Sequence, residues 1–88
     1  MAYKITFTNR FRKSYKKLSD KEKKQIKRKV DQLAQNPLHP SLRTKKIKGA
    51  DGFFECSVNM DVRMIWYFEG GSVIVILDVG HHDMLKRQ

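Results

Sequence analysis

Several features are scarce in this sequence, and each scarcity narrows the reading. There is one cysteine, Cys56, so no intramolecular disulfide can form. No stretch approaches the roughly 18 apolar residues of a membrane span. The longest apolar run, residues 73–77, has the length of a strand. The opening Met1-Ala2-Tyr3-Lys4 lacks the apolar core of a secretory signal. A cytoplasmic protein without a membrane partner is therefore expected. Proline is rare, with two residues, both between positions 37 and 40. No repeat or low-complexity segment occurs. Acidic residues are also few: 9 stand against 19 lysines and arginines, a net charge of +10.

What is present fits one domain spanning residues 1–88. Hydrophobic residues make up 40%, enough for a core, so disorder over the whole length is not expected. The positive charge repels itself in a compact state. It points to a polyanion or an acidic protein as partner. A merely solvated, lysine-rich surface is the plainer alternative.

Residues 3–7 alternate apolar and polar and read as a short strand. Thr8 or Asn9 can cap a helix whose apolar stripe is Phe11, Tyr15 and Leu18. Ser19-Asp20-Lys21-Glu22 forms a capping box for a second helix with Ile26, Val30 and Leu33 on its buried side. Asn36-Pro37 stops that helix. A linker carrying His39 follows, then a polar strand over residues 44–48 and a turn at Ala50-Asp51-Gly52. Alternation over residues 54–58 and 62–68 gives two more strands. Gly70-Gly71 reads as a two-residue hairpin turn before the most apolar strand, residues 72–79, expected to be central. The order β-α-α-β-β-β-β implies an α+β fold, with two N-terminal helices packed on one face of a small, mainly antiparallel sheet.

Parity then divides the sheet. Phe54, Cys56, Val58, Val62, Met64, Trp66 and Phe68 should face the helices, and Trp66 should be core. Glu55, Ser57, Asn59, Asp61, Arg63, Ile65 and Tyr67 should face the other side. Arg43, Lys45, Lys46 and Lys48 would add positive charge from the preceding strand. Gly80-His81-His82-Asp83 would end at one edge of this open face. A cationic groove walled by titratable groups is the result.

This arrangement resembles the RelE/ParE superfamily of bacterial toxins, and within it the YafQ/RelE-like messenger-RNA-cutting branch. Three segments carry the resemblance. One is Ile5-Thr6-Phe7-Thr8-Asn9-Arg10-Phe11-Arg12-Lys13, leading into a basic helix. The second is Gly52-Phe53-Phe54-Glu55-Cys56-Ser57-Val58 followed by Asp61-Val62-Arg63-Met64-Ile65-Trp66. The third is Asp78-Val79-Gly80-His81-His82-Asp83-Met84-Leu85, similar to the family's G-x-H-x-x-L ending.

The resemblance implies a toxin of a type II toxin–antitoxin system that cuts mRNA on the bacterial ribosome without a metal or other cofactor. The ribose 2′-OH attacks the adjacent phosphate, so a proton acceptor, a cation and an acid are needed. By resemblance His82 is the general acid, a role suited to a side chain that titrates near about 6.5. His81 is the competing acid, with His82 then a phosphate contact; a plain surface histidine is the other reading. Arg63 is implied to hold the scissile phosphate, or else to form a structural ion pair with Glu55 or Asp61. Asp61 is the first choice of base, against ordinary turn chemistry over residues 59–61. Glu55 fits orienting Arg63 better than acting as base.

Ser57 departs from the relatives, many of which carry an arginine or histidine there. Lys46, Lys48 or Arg43 would then supply the missing charge, or His39 would enter from the linker. Arg43, Lys45, Lys46, Lys48, Ser57 and Tyr67 are the expected RNA contacts. Tyr67 and Phe53 can stack on bases or simply pack. A metal held by His81, His82 and Asp83 is not expected, because adjacent strand-end residues point different ways. The lysines and Arg28 on the helices are expected to serve solubility and docking. The implied partner is a cognate antitoxin, which joins a toxin that is monomeric when free. Two other readings remain: a ParE-like DNA gyrase inhibitor, and a relative that binds RNA or antitoxin without cutting.

Overall fold

Both helices start on side-chain caps. In the computed structural model, which describes residues 2–81, the Thr8 hydroxyl accepts from the Phe11 N–H at 3.0 Å and donates to the Leu77 carbonyl at 2.6 Å. It thereby starts helix α1 (Asn9–Lys16) and ties it to the last strand. Ser19 and Glu22 form the expected reciprocal box, with Glu22 N–H donating to the Ser19 hydroxyl and Ser19 N–H to the Glu22 carboxylate. Helix α2 (Asp20–Gln35) follows and ends at the Asn36 cap. Ile26 and Leu33 are buried along it, and Val30 packs against the same core.

The strands are β1 (Lys4–Phe7), β2 (Lys45–Lys46), β3 (Phe53–Ser57), β4 (Val62–Glu69) and β5 (Val73–His81). They form one sheet in the order β1-β5-β4-β3-β2. Three of its pairings are antiparallel, and β1 runs parallel to β5. The α+β expectation holds, and β5 is flanked on both sides as its apolar sequence requires.

Parity places Cys56, Val58, Val62, Met64 and Trp66 in the buried core. Trp66 stacks on Phe54 at 4.7 Å between ring centroids. Phe68 keeps the expected parity but lies at the far end of β4, where it is 40% exposed beside Tyr3. Burial pushes the Cys56 thiol up to about 12, against weaker pulls from the Trp66 indole N–H and the Lys29 charge. It behaves as a small core hydrophobe.

Three expectations change. The polar strand shrinks to two residues, because Ile47 already turns back to accept from Ala50. The β4–β5 connection is three residues, since Glu69 pairs with Val73, and Gly70 takes a φ of +64° that glycine alone adopts freely. A register shift places Leu77 as an extra residue, opposite neither Ile65 nor Trp66. Beside it, buried Asp78 accepts from Ser14 at 2.6 Å and Arg10 at 2.9 Å, locking α1 onto β5.

Candidate active site

The side of the sheet that neither helix covers is assembled in rows by the strand register. One row runs Val75–Tyr67–Phe53, the next Ile65–Glu55–Lys45, and the third Gly80–Arg63–Ser57. Alternation makes these groups neighbours although they come from four strands.

Arg63 is held by backbone. Its Nη1 donates to the Asn59 and Val62 carbonyls. Its Nε stands 4.0 Å from the Glu55 carboxylate, and Lys45 Nζ is 3.6 Å from the same oxygen. Both separations exceed a good hydrogen bond, so Glu55 acts on these cations through charge. Glu55 and Arg63 are thus neighbours on this face. Phe53 and Tyr67 meet edge to face at 5.2 Å, and both are half-buried.

The cations of the linker and β2 divide. Lys45 shares the row of Glu55 and belongs to the open face. Lys46 is opposite Phe54, whose parity is that of the core, so it falls on the helix side and not in the groove. Lys48 sits exposed in the turn beyond β2. Arg43 follows the short 3-10 turn Pro40–Leu42 with a left-handed φ of +49°. It lines a recess of about 330 Å³ with Lys29, Ser41, Ser57, Arg63 and the hairpin residues 58–60. His39 caps that 3-10 turn by accepting from the Ser41 N–H at 3.1 Å, and so plays a local structural part.

Lys29 escaped the sequence reading. Its Nζ donates to the Ser41 carbonyl at 3.4 Å. A signal was available: three residues from Ile26 and four from Leu33, it falls on the buried stripe of α2, where a lysine is out of place.

Asp61 and the histidines sit elsewhere. Asn59 Oδ1 accepts from the N–H groups of Asp61 and Val62, each at 2.8 Å, a turn of the ordinary Asx kind. The Asp61 side chain lines a different recess from Arg63, with Ser19, Lys21, Glu22 and Gln25 of the α2 start. His81 pairs with Val62, a core-parity position, and its Nε2 lies 3.2 Å from Glu22. The expectation placed His81 on the edge of the open face; the register turns its side chain to the helix side. The Glu22 carboxyl is held below its ordinary value, first by the Ser19 backbone N–H, then by the Ser19 hydroxyl, with the charge of His81 contributing least. His82 and Asp83 lie outside the described residues.

The chain's likenesses agree with this fold. The model of a family described as the bacterial toxin of type II toxin–antitoxin system, YafQ, matches residues 3–87. Among solved structures, YafQ from E. coli is similar with a TM-score of 0.78 at 18% identity, covering 94% of this chain and 97% of that one. The E. coli DinJ–YafQ toxin–antitoxin complex gives 0.78 at 18% identity, over 97% and 98% of the two chains. The RelB–RelE antitoxin–toxin complex of Methanococcus jannaschii gives 0.75 at 24% identity, over 92% and 94%. No curated protein matches the chain. At these identities the structures establish a shared fold.

Proposed function

The chain belongs to the YafQ family of toxins of bacterial type II toxin–antitoxin systems, and from that premise we propose that it is an endoribonuclease that cuts mRNA on the ribosome. The observation that carries the reading is Arg63: a cation fixed by two backbone carbonyls on an uncovered sheet face, with a carboxylate beside it and an aromatic pair two rows away.

In this reading the ribose 2′-OH attacks the neighbouring phosphorus. The new P–O2′ bond forms as the P–O5′ bond breaks, leaving a 2′,3′-cyclic phosphate and a 5′-OH. Arg63 holds the phosphate oxygens as charge builds on them, an effect worth roughly 10²–10³-fold when one such group is removed. His82 protonates the departing O5′. Asp61 is the proposed base, and to take the 2′-OH proton its side chain must turn from its own recess toward the phosphate held at Arg63. Glu55 orients Arg63. Lys45 contacts the RNA backbone, and Tyr67 with Phe53 offers a stacking surface.

A cognate antitoxin is the proposed partner. The net charge of +10 favours an acidic segment and a fast encounter.

Inducing the chain in a bacterial host tests the reading. Growth should stop and ribosome-bound mRNA should be cut, and Arg63→Ala and His82→Ala should each lose both effects. Growth arrest with intact mRNA and blocked gyrase supercoiling would replace the reading with gyrase inhibition. Salt-sensitive RNA binding without cleavage would leave a binding domain.

A further inference from the structure

We propose that the recess between α2, the 3-10 turn and the outer edge of β3 holds a backbone phosphate of the bound RNA, with Lys29 and Arg43 as its phosphate-binding residues. The inference rests on the reading of the chain as an RNA-cutting toxin and adds a second anchor beside Arg63.

Lys29, Arg43 and Arg63 line one recess of about 330 Å³, together with the serines Ser41 and Ser57; among the described residues no carboxylate shares that lining, and the nearest, Glu55, stands behind Arg63 at 4.0 Å. Three like charges around one space repel each other, and an anion placed among them removes the repulsion. The volume is at the lower end for ligand sites, which suits a phosphodiester and its sugar.

Lys29 and Arg63 are aimed by backbone carbonyls, and Arg63 also faces the Glu55 carboxylate at 4.0 Å. Lys29 Nζ donates to the Ser41 carbonyl, and Arg63 Nη1 to the Asn59 and Val62 carbonyls. Arg43 adopts a left-handed backbone, which an arginine takes only at a cost and which asparagine tolerates better. Lys29 is half-buried beside the apolar stripe of α2, where an aliphatic residue would pack more cheaply. Two cations held against local preference mark a place where charge is wanted. The sheet leaves that place open: β2 pairs with Phe54 and Glu55, and among the described residues Cys56 and Ser57 have no strand partner on that edge of β3. The guanidinium fork of Arg43 matches phosphate geometry.

The test uses the full chain and a short single-stranded RNA carrying 2′-O-methyl sugars, which binds but lacks the attacking hydroxyl. Affinity is measured by fluorescence anisotropy at several salt concentrations. The Lys29→Gln/Arg43→Asn double variant should weaken binding about tenfold or more and lower the salt slope by about one. Lys16→Gln/Lys24→Gln, which removes equal charge from the outer helix surfaces, should change affinity by no more than about twofold. Amide signals of Arg43 and Ser57 should shift on titration of wild type. If the double variant is destabilised, each single variant is read in its place. Equal losses in the two double variants, or none in the first, overturn the proposal. So does an acidic peptide that outcompetes RNA for the recess.

The two readings fail separately. Wild type that binds this RNA with those shifts but leaves mRNA intact sinks the cutting and keeps the recess. Wild type that cuts, with the recess variant cutting equally well, sinks the recess and keeps the cutting.

Discussion

The two faces of the sheet are built from alternate residues of the same strands, and they differ in what holds them. On the covered face, Met64 and Trp66 are fully buried among Ile26, Leu33 and Leu42. On the open face, Arg63 and Glu55 are fixed by a few carbonyls and by charge, and Lys45 is two-thirds exposed. Burial supplies the stability of a small domain, and it tolerates no change of volume. On the open face Arg63 depends on hydrogen bonds and charge, whose loss costs the fold less than an emptied core position.

The sharpest way to break this comparison is to empty one position on each face. Trp66→Ala should cost about 3–5 kcal/mol, a large share of the roughly 5–15 kcal/mol that holds a domain of this kind. A urea titration would show the midpoint collapse. Arg63→Ala should lower cleavage about 10²–10³-fold, close to 2.7–4 kcal/mol of transition-state stabilisation. Its stability loss should stay under about 2 kcal/mol. An Arg63→Ala protein that unfolds as readily as Trp66→Ala would show that the open face is structural.

Smaller changes sharpen the contrast at the rim, where α2 begins. Ser19→Ala removes the hydroxyl that accepts from Glu22 N–H and should cost about 1 kcal/mol, or roughly 4–8 °C in Tm. Cleavage by the folded protein should be unchanged.

The least effect is expected from pH. The Glu22 carboxyl is held below its ordinary value by Ser19. Its charged form therefore stabilises the fold above the unfolded value of about 4.3. That contribution disappears as pH falls through the lower folded value. Glu22→Gln should flatten this part of the acid unfolding curve and leave the curve near neutrality almost unmoved. A curve of unchanged shape would remove the box from the account.

The sequence made much of this legible through local rules. The capping box, the stop at Asn36 and the strand parity that sets Trp66 against Arg63 follow from spacings of three or four residues and of two. The pairing of Arg63 with Glu55 was legible for the same reason. Lys46 was misplaced because it was put on the same face as its neighbour Lys45, although adjacent residues of a strand point to opposite faces.

Local spacing and composition determined, without further help, that there are two capped helices, a two-faced sheet and an excess of positive charge. Tertiary structure alone decided that β1 lies parallel to β5, that an extra residue enters at Leu77, and that His81 turns to Glu22. It alone brought Lys29 from a helix to Arg43 from a linker and Arg63 from a strand. The reason is distance along the chain. Spacing orders neighbours within an element, but which elements become neighbours depends on how all their apolar faces are buried at once.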